Sequence, residues 1–429
     1  MKKQTKILKQ LKTELAPALG VTEPIAIALA CAEAYRAIGG KLKKIKVITD
    51  PGVFKNSFSC AIPGTSEMGI EIAAILGVLV GEPDLKLNVL QNVKEEDVAR
   101  ARTLKQQGIV EIKFDKKYSG LYINTIVETN NGNGQVIIED EHTNITYIKS
   151  NGEIKYDSSN NENENKTVHN NKACFQDYKL RDFIDFANNI SYTKLKFILD
   201  AIKMNRDLAL AGYHGAGMEV GSTLDKLAIK ELISDDIVHH AQKLTAYAVD
   251  ARMGGIKKPA MSLCGSGDHG LISTLPLIAI AEKKEMDEEK LIRSIVLSYL
   301  VTIYIKDFSG RLSAFCGCAV AAGTGASAGI TYFLGGKEKE IITAIKNMAA
   351  NITGIICDGG NYGCSLKAMS AAGTAVLMAL FALEDTSIPD NSGIVGDSVE
   401  KTMQNMGQIA SPGMLKTNDT ILNIMIKES

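Results

Sequence analysis

A change in residue pattern along the chain constrains the fold more than any other feature. From Lys44 to about residue 156, short β-type runs alternate with turns, and a helical run lies among them near 66–79. After Phe175 the sequence is rich in Ala, Gly, Leu and Ile at helical spacing. The predicted strands share alternating or β-branched residues: 45–49, 87–90, 122–127 and 136–138.

Two further helical patterns precede the β-type region. One covers residues 6–15, and the other starts at Thr22, a residue suited to an N-cap, and stops at Gly39. The sequence therefore predicts an α+β protein with a mainly helical domain and a smaller α/β domain inserted after the N-terminal helices. The expected units are N-terminal helices packing on the helical domain, a smaller α/β domain ending in an Asn-rich loop, and the helical domain: 1–43, 44–173 and 174–429.

Charge balance excludes some classes of partner. Lys and Arg number 48 against 49 Asp and Glu, which gives a formal net charge of -1 over 429 residues. A protein that binds nucleic acid would carry a basic excess, so we expect none as a partner. A homodimer is the candidate assembly.

The N-terminal residues lack the apolar core of a signal peptide, because Lys and Glu interrupt them. We therefore expect a cytoplasmic protein with reduced thiols, among which Cys31, Cys60 and Cys174 are ordinary. The longest uncharged run, between Arg311 and Lys337, is long enough to test as a membrane span. Its many glycines favour close packing inside a protein, so we expect no membrane.

The strongest local signal is the glycine-rich loop between Cys357 and Cys364, which leads into an apolar helical run. Backbone N–H groups and the helix dipole at such a position stabilise a thiolate. Cys316 and Cys318 form a second thiol pair ahead of another helix. The spacings match a four-thiolate zinc site poorly, whereas three of these thiols would suit a 4Fe–4S cluster with one open iron. Buried cysteines acting as small apolar residues are the alternative.

Other motifs offer groups for a bound anion. The loop from Cys264 to Gly270 precedes a helix, whose first N–H groups are free to donate. Arg252 lies upstream and could face a carboxylate, with a surface salt bridge as the alternative. Thr22 could hold a carboxylate or only cap a helix, and Lys55 with Asn56 is a weaker signal that also fits a turn.

Four motifs together resemble one family. They are Gly-Val-Thr-Glu-Pro at 20–24, Asp-Ala-Arg-Met-Gly-Gly at 250–255, Gly-Ser-Gly-Asp-His-Gly at 265–270 and the Cys-Asp-Gly run at 357–364. In this order they are similar to the iron–sulfur L-cysteine desulfidases, which are related to the alpha part of bacterial iron–sulfur L-serine dehydratases. The resemblance covers nearly the whole chain and fades from about 110 to 173.

The resemblance implies a small amino-acid substrate and a pyridoxal-independent lyase that converts L-cysteine to pyruvate, ammonia and sulfide. It implies a 4Fe–4S cluster held by Cys357, Cys364 and either Cys316 or Cys318. Cys316 is preferred, since its offset to the Leu-Gly-Gly at 334–336 fits the serine dehydratase pattern better. The residues expected at the substrate are Thr22, Glu23, Asn56, Arg252, Ser266, Gly267 and Asp268.

Two positions depart from the family pattern. The family usually has Cys, the favoured candidate base, where this chain has Val21, and it commonly has Asn at Asp268. Valine cannot accept a proton, so His269 is the predicted base and Lys55 the alternate. The competing functions are an L-serine dehydratase of the same type and a non-catalytic iron–sulfur or zinc sensor.

Overall fold

The computed structural model describes residues 2–118, 120–160, 175–284 and 287–427. It has an α+β architecture, as predicted. Its helices, in chain order, are α1 Lys2–Thr13, α2 Thr22–Arg36, α3 Pro51–Ser57, α4 Ile70–Val80, α5 Glu95–Gln106, α6 Leu180–Asn189, α7 Ile198–Tyr213, α8 Val220–Ile229, α9 Ile237–Met253, α10 Gly267–Lys284, α11 Glu288–Ser309, α12 Gly323–Phe333, α13 Glu338–Ile352, α14 Gly363–Leu383, α15 Val399–Gln408 and α16 Leu415–Lys427.

Within the described residues, eight strands form two sheets. Their bounds are β1 Leu15–Leu19, β2 Leu42–Thr49, β3 Val110–Phe114, β4 Tyr122–Thr129, β5 Gly132–Glu139, β6 Ile145–Ser150, β7 Glu153–Asp157 and β8 Pro259–Leu263. The larger sheet has the order β3-β2-β4-β5-β6-β7, with β2 and β3 parallel and every other neighbouring pair antiparallel. β1 and β8 pair antiparallel as a separate ribbon.

Alternation along the central strands creates one buried face of the larger sheet. Ile123 and Val127 of β4 and Val136 and Ile138 of β5 are fully buried. They share a core with α2 and α4, which lie against this face. Period-2 burial of β-branched side chains is what a sheet with one covered face requires.

Close helix packing forms the second core. Gly325 and Gly329 of α12 face α11. A Cβ added to Gly325 would lie 2.4 Å from the carbonyl oxygen of Ser298, and one added to Gly329 would lie 2.7 Å from that of Ser294. Only glycine allows the two helices to approach this closely. The uncharged run from 311 to 337 is thus largely interior, as the sequence predicted.

One helix in the described part of the chain, α14, is long and apolar enough to cross a membrane by length and composition. It packs against α9, α12 and α13, and 44% of its most apolar window is buried within the molecule. A core helix meets the same criteria, so this single helix is weak evidence for a membrane span.

Two details of the sequence prediction differ from the structure. Residues 87–90, predicted as a strand, follow and overlap a 3₁₀ segment, Pro83–Asn88, interrupted at Lys86 with φ 51°. The apolar residues there are buried, but a four-residue apolar run does not distinguish a strand from a buried turn. The sequence also missed the β1–β8 ribbon, because Pro17 indicated only a helix end.

The N-terminal helices do not pack as one unit. Ile7 and Leu11 of α1 lie in the helical core, whereas α2 lies in the core of the larger sheet. The division of the chain into 1–43, 44–173 and 174–429 stays a prediction. The predicted boundary at 173, most of the Asn-rich loop and Cys174 lie outside the described residues.

Candidate active site

Two of the predicted ligand cysteines are placed side by side by backbone pairing. A short antiparallel bridge joins Phe315 to Ile356. The N–H of Cys316 donates to the carbonyl oxygen of Ile355 at 2.9 Å, and the N–H of Cys357 donates back across the bridge to Ala314 at 2.7 Å. Segments that are forty residues apart in sequence therefore present their thiols at one place.

The loop that follows brings the third thiol to the same place. Gly359 has φ +99°, and an added Cβ would lie 2.4 Å from the carbonyl oxygen of Lys55, so only glycine fits. The loop turns there and enters α14, whose first turn contains Cys364. The Sγ of Cys364 lies 3.6 Å from the carbonyl oxygen of Gly359. Cys364 thus lies at a helix N-terminus, as the sequence predicted.

These thiols line one pocket together with most of the predicted substrate residues. The predicted residues in its lining are Glu23, Asn56, Arg252, Ser266, Asp268, Cys316, Cys357 and Cys364. The other lining residues are Val21, Met253, Ile272, Cys318, Gly359, Gly360 and Lys367. The sequence motifs, spread over more than 300 residues, converge on this pocket.

Cys316 and Cys318 interact with each other. A hydrogen bond with the Cys318 thiol lowers the pKa of Cys316 below its usual range, despite burial. Cys318 also contacts the hydroxyl of Ser266, with Sγ and Oγ 3.7 Å apart. Both thiols line the pocket, so the choice of third ligand stays with the sequence prediction for Cys316.

Thr22 is buried beneath the pocket and already has its partners. Its hydroxyl donates to the carbonyl oxygen of Gly265 at 2.9 Å and lies 3.1 Å from Glu23 Oε2. The N-cap of α2 is Val21, so the predicted capping role of Thr22 is wrong. Thr22 instead ties α2 to the Gly265 loop, and this position does not favour substrate contact.

Gly267 opens α10 beside a guanidinium group. An added Cβ there would lie 2.5 Å from Nε of Arg252. Gly267 is not a lining residue, and its missing side chain leaves room for the guanidinium group of Arg252.

His269 is not among the residues that line the pocket, and its role as base stays a prediction. Its Nδ1 is 3.0 Å from the carbonyl oxygen of Leu263, and its Nε2 faces Gly317, where an added Cβ would approach it to 2.5 Å. Burial, reinforced by the nearby Lys306, lowers the pKa of His269 to about 3. A neutral ring beneath the Cys316–Cys318 turn is placed to support that turn.

Lys55, the alternate base, also lies outside the lining. Its ammonium group donates to the carbonyl oxygens of Ser313 and Cys357 at 3.1 and 2.9 Å and to Asn418 Oδ1 at 2.9 Å. The side chain is 1% exposed. With three hydrogen bonds to these acceptors, Lys55 is placed as a tether of the Cys357 loop.

Replacing Lys55 with Met should lower the free energy of unfolding by about 2–4 kcal/mol, because three partly buried oxygen acceptors lose their donor. Denaturant unfolding of the metal-free protein measures this. Lys43→Met, at an exposed position of β2, is the control and should change the value by less than about 0.5 kcal/mol. A Lys55→Met protein of unchanged stability would contradict the tether.

Glu23 is a buried carboxylate with several partners. Asn56 Nδ2 donates to its Oε1 at 2.8 Å, and His142 Nε2 lies 3.7 Å from the same oxygen. Burial raises its pKa, but His142 and Asn56 outweigh burial and bring the pKa to about 2. Glu23 is therefore a stable anion in the pocket wall. His142, which the sequence did not single out, comes from the turn between β5 and β6.

Arg252 and Asp268 form a buried ion pair at 2.8 Å, and their side chains are only 3% and 6% exposed. Burial raises the pKa of Asp268, partly offset by the guanidinium. The sequence predicted that Arg252 could face a carboxylate, and the carboxylate that it faces in the structure is that of Asp268. Nε of Arg252 makes no hydrogen bond within the described protein.

Lys367 is the other cation in the pocket lining and was also missed from the sequence. Its ammonium group pairs with Asp358, which lies in the loop between the two cysteines. Lys367 follows Cys364 by three residues on α14. Residues at this spacing share a helix face, which is the signal that could have found it.

Comparisons with known proteins place the chain in a family. The model of the serine dehydratase alpha chain matches residues 84–423. The chain belongs to the serine dehydratase alpha-chain family. The resemblance inferred from the motifs is thus confirmed, and this family indicates a lyase-type enzyme related to serine dehydratase.

Close relatives of this serine dehydratase-related protein are UPF0597 proteins, a name that states no activity. One from Clostridium botulinum strain Hall is 50% identical over 426 residues, which are 99% of each chain. One from Clostridioides difficile strain 630 is 38% identical, covering 97% of this chain and 98% of its own. One from Caldanaerobacter subterraneus is 38% identical over the full length of both.

The serine dehydratase alpha family is associated with iron–sulfur clusters, and the pocket residues fit such a group. All seven cysteines within the described ranges are free thiols, and four line the pocket. No three ligand side chains of the described residues are grouped for one metal ion. A 4Fe–4S cluster needs no such grouping, because each of its cysteines binds a different iron. The charges of Lys55, Lys367 and Arg252 nearby would balance an anionic cluster.

Proposed function

We propose that this protein is a pyridoxal-independent, 4Fe–4S-dependent lyase that converts L-cysteine to pyruvate, ammonia and sulfide. The observation that carries the proposal is one pocket that combines the predicted ligands Cys316, Cys357 and Cys364 with side chains of both charges. A zwitterionic amino acid needs partners of both signs. An iron–sulfur carrier or sensor would not need them.

Within this proposal the cluster, when bound by the three cysteines, supplies an open iron that acts as a Lewis acid toward the leaving sulfur. The α-proton of the substrate is removed, the Cβ–S bond breaks and sulfide leaves. The aminoacrylate so formed takes up one water and yields pyruvate and ammonia. The charges balance because the electron pair of the Cα–H bond becomes the new C=C bond.

The anionic side of the pocket suits the substrate ammonium group. Glu23 stays ionised, and its position is fixed by Asn56 and by the hydroxyl of Thr22. Fixed, partly desolvated charges orient a bound molecule at little further entropic cost. His269 and Lys55 are not among the lining residues, so we propose that the proton acceptor is one of the groups that line the pocket.

The apolar part of the pocket favours a sulfur leaving group over a hydroxyl. Val21, Met253 and Ile272 line it beside the thiols. A site that selects a hydroxyl offers it a hydrogen-bond partner, whereas an apolar wall does not. We therefore propose L-cysteine as substrate, with L-serine dehydratase as the alternative activity.

Anaerobic reconstitution with iron and sulfide, followed by assays of pyruvate and sulfide, tests the proposal. We expect L-cysteine to yield both products at equal rates, and faster than L-serine or L-threonine yields its keto acid. Protein that has not been reconstituted is the control. Faster turnover of L-serine would establish the alternative activity. Turnover of none, with stoichiometric zinc in place of iron, would favour a sensor.

A further inference from the structure

We propose that Lys367 binds the carboxylate of the substrate, and that Asp358 occupies Lys367 until the substrate arrives. This inference rests on the proposed function and adds the group that recognises the α-carboxylate. Lys367 and Arg252 are the two cationic side chains in the lining of the pocket formed by the described residues. The contacts of each decide which one can accept a new anion.

Arg252 cannot exchange its partner readily. It pairs with Asp268 at 2.8 Å, and the two side chains are 3% and 6% exposed. Moving Arg252 toward a ligand would leave the Asp268 carboxylate buried without its counter-ion, which is strongly unfavourable. The Arg252–Asp268 pair therefore acts as a neutral part of the wall.

The ion pair of Lys367 differs in exposure. The side chain of Asp358 is 43% exposed and that of Lys367 is 21% exposed. A released Asp358 carboxylate can be hydrated at once, and it keeps the amide of Asn361, whose Nδ2 is 3.2 Å from Oδ1. Partly exposed ion pairs contribute little stability, so exchanging Asp358 for a substrate carboxylate is cheap.

The position of Lys367 also matches the shape of the substrate. Lys367 and Cys364 are adjacent on one face of α14, so a carboxylate on Lys367 lies close to the thiol cluster. In an amino acid, the carboxylate and the β-substituent are joined by only two carbons. Glu23 comes from α2 and offers the opposite charge to the ammonium group.

Two probes separate the carboxylate from the rest of the ligand. 3-Mercaptopropionate has the thiol and the carboxylate, whereas cysteamine has the thiol and the amine. Their binding to the anaerobic, reconstituted protein is measured by calorimetry, with iron content determined for each variant. Lys367→Met should lower the affinity for 3-mercaptopropionate by at least about tenfold and change the affinity for cysteamine by less than about twofold. Lys367→Arg should restore most of the affinity.

Asp358→Asn is the matched variant, because it removes the competing anion without touching Lys367. It should raise the affinity for 3-mercaptopropionate by about threefold, which is opposite in direction to the effect of Lys367→Met. This arm stays decisive if Lys367→Met fails to retain iron. A pair that only clamps the loop predicts weaker binding of both probes in both variants, and that result would overturn the inference.

The failure of this inference can be told apart from failure of the proposed function. If wild-type protein turns over L-cysteine but the Lys367 variants bind 3-mercaptopropionate normally, only the role of Lys367 is wrong. If wild-type protein binds neither probe and turns over no amino acid, both proposals are wrong.

Discussion

Replacing Cys357 with Ser is expected to remove the iron and to lower the rate of pyruvate formation by about a thousandfold or more. Cys357 lies beside Cys316 across the Phe315–Ile356 bridge, and its loop leads directly to Cys364. A serine hydroxyl is a poor ligand for iron in a cluster, so loss of one thiolate should release the whole group. Iron per chain and the broad absorbance at the visible–ultraviolet boundary measure the loss.

Cys318→Ser is the matched control for this prediction. Its thiol lies in the same pocket but contacts the hydroxyl of Ser266, so the variant should keep most of its iron. Cys316→Ser should behave like Cys357→Ser. If instead Cys318→Ser loses iron and Cys316→Ser retains it, the third ligand is Cys318. Full iron in the Cys357→Ser protein would refute the ligand set altogether.

Arg252→Met should cost about 3–5 kcal/mol of folding free energy, because it leaves Asp268 buried without a counter-ion. The charged pair lies in the wall of the pocket, so its loss is expected to destabilise the metal-free protein as well. Adding Asp268→Asn to Arg252→Met should recover a large part of the loss. Denaturant unfolding of the wild type, the two single variants and the double variant measures the coupling.

An exposed ion pair provides the comparison. Lys339 and Asp385 are both 75% exposed, so Lys339→Met should change stability by less than about 1 kcal/mol. A cost of the same small size for Arg252→Met would mean that the pair is hydrated in solution. The double variant would then show no recovery.

The sequence predicted the fold class and most of the long elements correctly, since periodicity marks α2, α4, β2, β4 and the helices after Phe175. It missed the β1–β8 ribbon, because five-residue strands give little pattern and Pro17 obscures one of them. It also predicted a strand at 87–90 where the structure has none, since apolar character alone does not fix backbone conformation.

The predicted bases His269 and Lys55 do not line the pocket, and one physical reason accounts for both. Neighbouring residues on a helix point about 100° apart, so a motif alone does not say which one faces a pocket. Asp268 lines the pocket while His269 turns away beneath Gly317, and Asn56 lines it while Lys55 turns to the Cys357 carbonyl. His142 gave no signal, because it reaches Glu23 from the turn between two strands of the larger sheet.

The ribbon of β1 and β8 has a consequence for the order of events during synthesis. Leu15 pairs with Leu263, just before the Gly265 loop. Nearly 250 further residues are therefore synthesised before β1 can pair with β8. The pocket also needs Lys367 from α14. Distant contacts of this kind form late. Under the proposed function, a nascent chain therefore lacks the complete pocket for the cluster until α14 has been synthesised, and the cluster would bind late.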